Sequence, residues 1–154
     1  MSKILEKIVA DQIDSYIDSI DLLPKLQSGF RKNHSTCTAL LNLFSDLFDA
    51  KDAGRYSALV MLDFAQAFDS IVARMLVAKM IYYGFEEDVT DWAEDYFSER
   101  DQITKVGGVT SGPLKKKRGV AQGSRVGPKF FIMYTADLFR VLQWCILHGF
   151  ADDC

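Results

Sequence analysis

Proline and cysteine are scarce, with three residues of each among 154, and there are only two histidines. No uncharged apolar run approaches the roughly 20 residues that cross a bilayer. The start, MSKILEKIVADQ, carries charge every few positions where a secretory signal needs an apolar block. Cys37, Cys145 and Cys154 are odd in number and stand at no framework spacing, which argues against a disulfide scaffold. Internal repeats, low-complexity stretches and Pro/Ser-rich linkers are also missing. These absences leave the expectation of a soluble, intracellular chain with no membrane partner. Its 49% apolar, 25% charged and 12% aromatic residues suit one folded domain.

The net charge of −3 at first disfavours a nucleic-acid partner. Its distribution reverses that inference. Glu86, Glu87, Asp88, Asp91, Glu94, Asp95 and Glu99 put seven of the 21 acidic residues in one segment without a basic residue, leaving 18 basic against 14 acidic elsewhere. Outside one acidic helix, the chain is mildly basic.

Apolar periodicity predicts a helix over residues 3 to 19 (Ile4, Leu5, Ile8, Val9, Ile13, Ile17), with breaks at Leu23-Pro24 and Ser28-Gly29. Ser35 caps a second helix carrying Leu40, Leu43, Phe44, Leu47 and Phe48 on one face, and Gly54 closes the connection after it. SALVML, residues 57 to 62, reads as a strand buried on both faces. From about Asp69, the stripe Val72, Leu76, Met80 and Tyr83 forms a helix that stops at Gly84. The next helix buries Val89, Trp92, Ala93, Tyr96 and Phe97, with Glu86, Glu87 and Asp88 in its first turn. Residues 102 to 118 read as a weak hairpin or loop. Pro128 opens a helix continued by Phe131, Tyr134, Leu138 and Leu142, and Trp144 to Phe150 reads as a final strand. The expected class is α+β, with helices packed on a small sheet.

Asp63 directly follows the first expected strand and Asp152-Asp153 the second. An aspartate after a strand is also an ordinary turn residue. Three of them at strand ends, however, suit a metal site. Clustered carboxylates repel unless a cation compensates, and Mg²⁺ takes one or two carboxylates together with phosphate oxygens. Paired ions about 3.5–4 Å apart serve nucleotidyl transfer in this way.

LDFAQAFDSI (62 to 71), GVAQGSRVGP (119 to 128) and FADDC (150 to 154) together resemble motifs A, B and C of reverse transcriptases, in the family's order. QSGFRKNHSTCTALL (27 to 41) resembles the fingers segment of the non-LTR, LINE-like branch, particularly its jockey-type elements. The similarity extends over essentially the whole chain, and four motifs in order make an accidental match improbable. The resemblance implies a partial right-hand polymerase fold, with residues 1–56 a fingers portion, residues 57–154 a palm portion truncated at motif C, and the thumb absent. It implies an RNA-directed DNA polymerase that extends a DNA primer on an RNA template with deoxynucleoside triphosphates, using Mg²⁺ or Mn²⁺, and acts in the nucleus during insertion. The isolated chain, lacking the thumb and the returning strand after motif C, is expected to be inactive. The sequence leaves its oligomeric state open.

By the same resemblance, Asp63, Asp152 and Asp153 are catalytic metal ligands. Phe68 stands where the family places a steric gate beneath the sugar, although its residue type alone reads as core packing. Phe64 and Ala65 line the triphosphate pocket. Gln122 and Gly123 form the motif B loop, where glycine permits close approach and the following helix N-terminus favours phosphate. Arg31, and less directly Lys32, would clasp triphosphate or template, and Lys115, Lys116, Lys117 and Arg118 would follow a nucleic-acid backbone. Each of these also has a plainer reading as a loop or solvated charge.

The chain departs from the family at Ala65-Gln66, Ala121, Arg125 and Phe150, none of them a metal ligand. His34-x-x-Cys37 and Cys145-x-x-His148 have zinc-like spacing within each pair, but no compact knuckle surrounds either pair. A catalytically inactive remnant that binds nucleic acid or protein is the alternative function. An RNA-dependent RNA polymerase shares the palm logic, and Phe68 argues against it.

Overall fold

The computed structural model describes residues 2–142 and 144–154. The order is α1 (Ser2–Ser19), α2 (Thr36–Asp52), a 3₁₀ turn (Ala67–Asp69), α3 (Ala73–Tyr82), α4 (Glu87–Phe97), four two-residue strands, α5 (Gly127–Thr135) and α6 (Leu138–Val141). No described helix is long and apolar enough to cross a membrane.

The core is built around α5. Phe130, Phe131, Ile132 and Met133 are apolar around the whole helix and all are buried, as expected of a helix enclosed on every side. Ile13 and Ile17 of α1, Leu76 and Met80 of α3, and Ala93 and Phe97 of α4 belong to the same core. Pro128 sits in the first turn of α5, as its sequence position requires. Gly84, at φ +84°, ends α3, and the Tyr16 hydroxyl of α1 donates to its carbonyl at 2.8 Å.

The expected hairpin over residues 102 to 118 exists in reduced form. β1 (Asp101–Gln102) pairs antiparallel with β4 (Leu114–Lys115), and β2 (Lys105–Val106) with β3 (Val109–Thr110). All four strands are exposed on both faces. The molecule is thus a mixed fold of helices with small antiparallel sheets, but its helices pack on one another and not on a sheet.

Both expected long strands need correction. Residues 57 to 62 are exposed throughout and form no ladder; only Leu62 bonds a neighbour, exchanging N–H and carbonyl bonds with Cys154 at 2.6 and 2.9 Å. In the second run only Gly149 and Phe150 form bridges, and Trp144 is 97% exposed. The apolar pattern is real, but a strand also needs a second backbone along its length, and among the described residues none lies there. α2 shares this condition. Its capping box is formed, with Ser35 and Thr38 bonding reciprocally, yet none of its residues is buried, and Leu40, Phe44 and Phe48 stay about half exposed. The helix begun at Pro128 also stops at Thr135 and resumes only as α6.

Candidate functional site

Residues 150 to 153 form a two-residue hairpin turn. Phe150 N–H donates to the Asp153 carbonyl at 2.8 Å, and Asp153 N–H returns to Phe150 at 3.1 Å. Ala151 takes φ +60° at the tip, so Asp152 projects from the bend. Asp153 then pairs antiparallel with Asp63, which brings the two Cα atoms to about 4.5–5.5 Å. The 26–29 segment clamps this turn from below. Ser28 N–H donates to Gly149 at 2.8 Å, Gly149 N–H donates to Leu26 at 2.9 Å, and the buried Gln27 amide reaches the Ala151 carbonyl at 3.3 Å.

A cavity of about 640 Å³ opens beside the turn, within the range of ligand pockets. Its walls include Asp63, Phe64, Ala65, Phe68, Gln122, Gly123 and Asp152. Seven sequence-predicted residues from three separate segments therefore meet there. Gln66, left-handed at φ 57°, turns the chain from Asp63 into the 3₁₀ turn that carries Phe68. Phe68 is half-buried, packed at 5.1 Å on Phe131 and 5.7 Å on Phe30. It is both a packing residue and a wall. Phe64 stacks edge-on against Phe131.

Other expected residues lie elsewhere. Asp153 lines a second cavity, beneath α2 and the 57–62 segment, which Asp63 also borders. The Arg31 guanidinium donates to the Pro24 carbonyl at 2.8 Å and does not line the main cavity. Lys32, Lys115, Lys117 and Arg118 are exposed, whereas Lys116 is drawn inward to Asp69 at 2.8 Å and the Val120 carbonyl at 3.1 Å. His148 pairs with Asp46 at 2.8 Å, and His34 Nδ1 lies 3.0 Å from the Lys32 carbonyl.

Among the described residues, no group of three or more His, Cys, Asp and Glu is close enough to hold a metal. Nor does any ion pair there involve Asp63, Asp152 or Asp153. Two oxygen-rich carboxylates bordering one cavity without a protein counter-charge fit a hard divalent cation. Burial pushes the pKa of the neighbouring Cys154 thiol up, and Asp153 and Asp152 add to the shift.

Before α5, one carboxylate and one hydroxyl already engage several donors. Glu6 Oε2 already accepts from Arg125 N–H at 2.7 Å and from the Ser124 hydroxyl at 2.9 Å, and Ser124 Oγ accepts from Gly127 N–H at 3.1 Å. The dipole's anion is internal. Periodicity treats α1 only as a packing helix, so it gives no local signal for this contact. Phe30 and Gly29, although inside the fingers-like segment, carry no signal in their residue type either.

An uncompensated carboxylate pair, aromatic walls and a glycine loop make a site suited to a cation together with a phosphate-bearing ligand. The sequence comparisons give that class a family. The chain belongs to the reverse transcriptase (RNA-dependent DNA polymerase) family, whose sequence pattern matches residues 1–154. It is 31% identical over 144 residues to the "Probable RNA-directed DNA polymerase from transposon BS" of Drosophila melanogaster, covering 90% of this chain and 15% of that protein. It is 26% identical over 163 residues to the "Probable RNA-directed DNA polymerase from transposon X-element" of the same species, covering 99% of this chain and 17% of the relative. The "RNA-directed DNA polymerase from mobile element jockey" of that species is 27% identical over 138 residues, covering 90% and 15%. These relatives are jockey-like and other non-LTR transposon polymerases, and the chain spans about one-sixth or less of their length.

Proposed function

We propose that this chain is the fingers-and-palm portion of an RNA-directed DNA polymerase, residues 1–56 fingers and 57–154 palm, that extends a DNA primer on an RNA template. The observation that carries this reading is the single cavity bordered by Asp63, Asp152, Phe68 and the Gln122–Gly123 turn, drawn from the three segments that resemble motifs A, C and B. Asp63 and Asp152 would hold Mg²⁺ or Mn²⁺. When bound, the cation supplies charge neutralisation at the triphosphate and a more acidic attacking hydroxyl.

The protein's own residues supply placement. The reciprocal Leu62–Cys154 bonds hold the backbone of Asp63 beside that of Asp153, while Phe64 and Ala65 would form the floor beneath a triphosphate. Phe68, wedged between Phe30 and Phe131, stands where a ribose 2′-hydroxyl would need space. Gly123, at φ +78° with open space where a Cβ would stand, lets a nucleotide approach the turn backbone. The exposed Lys115, Lys117 and Arg118 are available to a nucleic-acid backbone, and Arg31 braces the fingers segment.

The test is titration of the chain with a fluorescent deoxynucleoside triphosphate in Mn²⁺ or Mg²⁺, beside Asp63→Asn and Asp152→Asn variants. Saturable, cation-dependent binding that falls at least about tenfold in each variant is expected. A chimera of the jockey polymerase carrying residues 1–154 in place of its matching segment should extend a primer on RNA only with Asp152 present. Cation-independent binding unaffected by both variants would overturn the reading in favour of an inactive binding module.

A further inference from the structure

The cavity wall formed by Gln122 and Gly123 is the tip of a four-residue turn, closed by Ser124 N–H donating to the Ala121 carbonyl at 3.1 Å. Both ends of this turn are tied to one atom of α4. Ala121 N–H donates to the Tyr96 hydroxyl at 3.4 Å, and that hydroxyl donates to Ser124 Oγ at 2.8 Å. The Ser124 hydroxyl donates in turn to Glu6 Oε2 at 2.9 Å, and the same carboxylate oxygen accepts from Arg125 N–H at 2.7 Å. Each hydroxyl accepts before it donates, so the donors run in one direction and end on a charge, the arrangement in which successive bonds strengthen one another. The Tyr96 ring is itself held: Arg100 lies 4.6 Å above it while donating to the Gly119 carbonyl at 2.8 Å, and Phe130 abuts it at 5.4 Å.

We infer that Glu6 and Tyr96 are positioning residues that fix the Gln122–Gly123 turn in its ligand-receiving conformation. This inference rests on the proposed function of the cavity. Gln122 and Gly123 are exposed and make no side-chain hydrogen bond among the described residues, so nothing at the tip itself sets their place. The turn is positioned from its ends. One anchor comes from α1 and the other from α4, so two helices remote in sequence from motif B determine the shape of the wall. Neither residue touches the cavity, which separates a positioning role from a catalytic one.

Three variants test it on the 154-residue chain. Tyr96→Phe removes the hydroxyl and keeps the ring that Arg100 and Phe130 pack against. Glu6→Ala removes the acceptor, and Glu6→Gln restores an uncharged one. Amide hydrogen exchange at residues 121 to 125 is expected to quicken at least about fivefold in Tyr96→Phe and Glu6→Ala, the loss of roughly one net hydrogen bond, and less in Glu6→Gln. Exchange in α3 is expected to stay at the wild-type rate. Affinity for the fluorescent deoxynucleoside triphosphate is expected to fall in the same order. Unchanged exchange at 121 to 125, or equal acceleration in α3, overturns the inference, as does faster turn exchange with wild-type nucleotide affinity. Wild-type protein that binds no nucleotide overturns the proposed function instead, and turn exchange then decides alone whether Glu6 and Tyr96 fix this geometry.

Discussion

A Cβ placed on Gly29 would stand 1.9 Å from the Ala151 nitrogen and 2.8 Å from the Phe150 carbonyl carbon, so the turn presenting Asp152 rests directly on a glycine. The atoms in the way are backbone and have no rotamer with which to yield. Gly29 itself does not sit in the left-handed region, so the requirement is space and not conformation. Gly29→Ala should therefore lift the 150–153 turn from the 26–29 segment. The expected cost is about 1–3 kcal/mol, typical of overpacking. Amide exchange at Phe150 and Asp153 should quicken together with weaker Mn²⁺ binding. Wild-type exchange and Mn²⁺ affinity in the alanine variant would show that the turn is held by other interactions.

Elements closed by neighbours in sequence are readable from it. The Ser35 cap, the Gly84 stop, the Pro128 start and the acidic first turn of α4 each depend on residues within one or two turns. The runs at 57 to 62 and 144 to 150 mislead because burial pattern predicts the side-chain preference of a strand, while its hydrogen bonds depend on a partner far along the chain. The cavity is legible only through the motif resemblance. Nothing in the local pattern of α1 marks Glu6 as the anion before α5, because that interaction joins residues 119 apart.

Phe68 packs on two rings and also borders the cavity, so one substitution can test its proposed role against its packing. Its packing on Phe30 and Phe131 means that Phe68→Ala should destabilise the fold, by less than the about 3–5 kcal/mol of a fully buried ring. If the proposed function holds, the same change in the jockey chimera should raise ribonucleotide incorporation relative to deoxynucleotide incorporation, because it removes the ring proposed to face the 2′-hydroxyl. Phe68→Leu should fall between. Equal loss of both incorporations would assign the ring to packing alone.

Tyr83 makes stability pH-dependent at the alkaline end. Burial pushes its pKa above the ordinary 10.0, the Asp137 carboxylate adds to this, and Arg140 opposes it. The hydroxyl donates to the Met133 carbonyl at 3.3 Å. The folded state thus holds this proton more tightly than the unfolded chain does. Its contribution is complete below pH 10 and is lost as pH rises through the higher folded value. The melting temperature should fall more steeply above pH 10 in wild type than in Tyr83→Phe; parallel curves would remove Tyr83 as the source.

The basic run divides into one structural lysine and three solvent-facing charges. Lys116 joins the Asp69 carboxylate to the Val120 carbonyl, and Val120 N–H donates to Phe68 at 3.0 Å. Lys116 therefore braces the base of the Gln122–Gly123 turn. Lys117 and Arg118 make no ion pair or side-chain hydrogen bond among the described residues and are free to meet phosphate. Replacing both with alanine should weaken single-stranded RNA binding and reduce the slope of log affinity against log salt by about 0.7 for each phosphate no longer neutralised, without changing the melting temperature. Lys116→Ala should do the opposite. It should lower the melting temperature and quicken amide exchange near Val120, with the salt slope close to wild type, because its ammonium is already paired. If Lys116→Ala instead changes the slope as much as either neighbour and leaves the melting temperature alone, its pairing with Asp69 is not maintained in solution and the run acts as one continuous phosphate track.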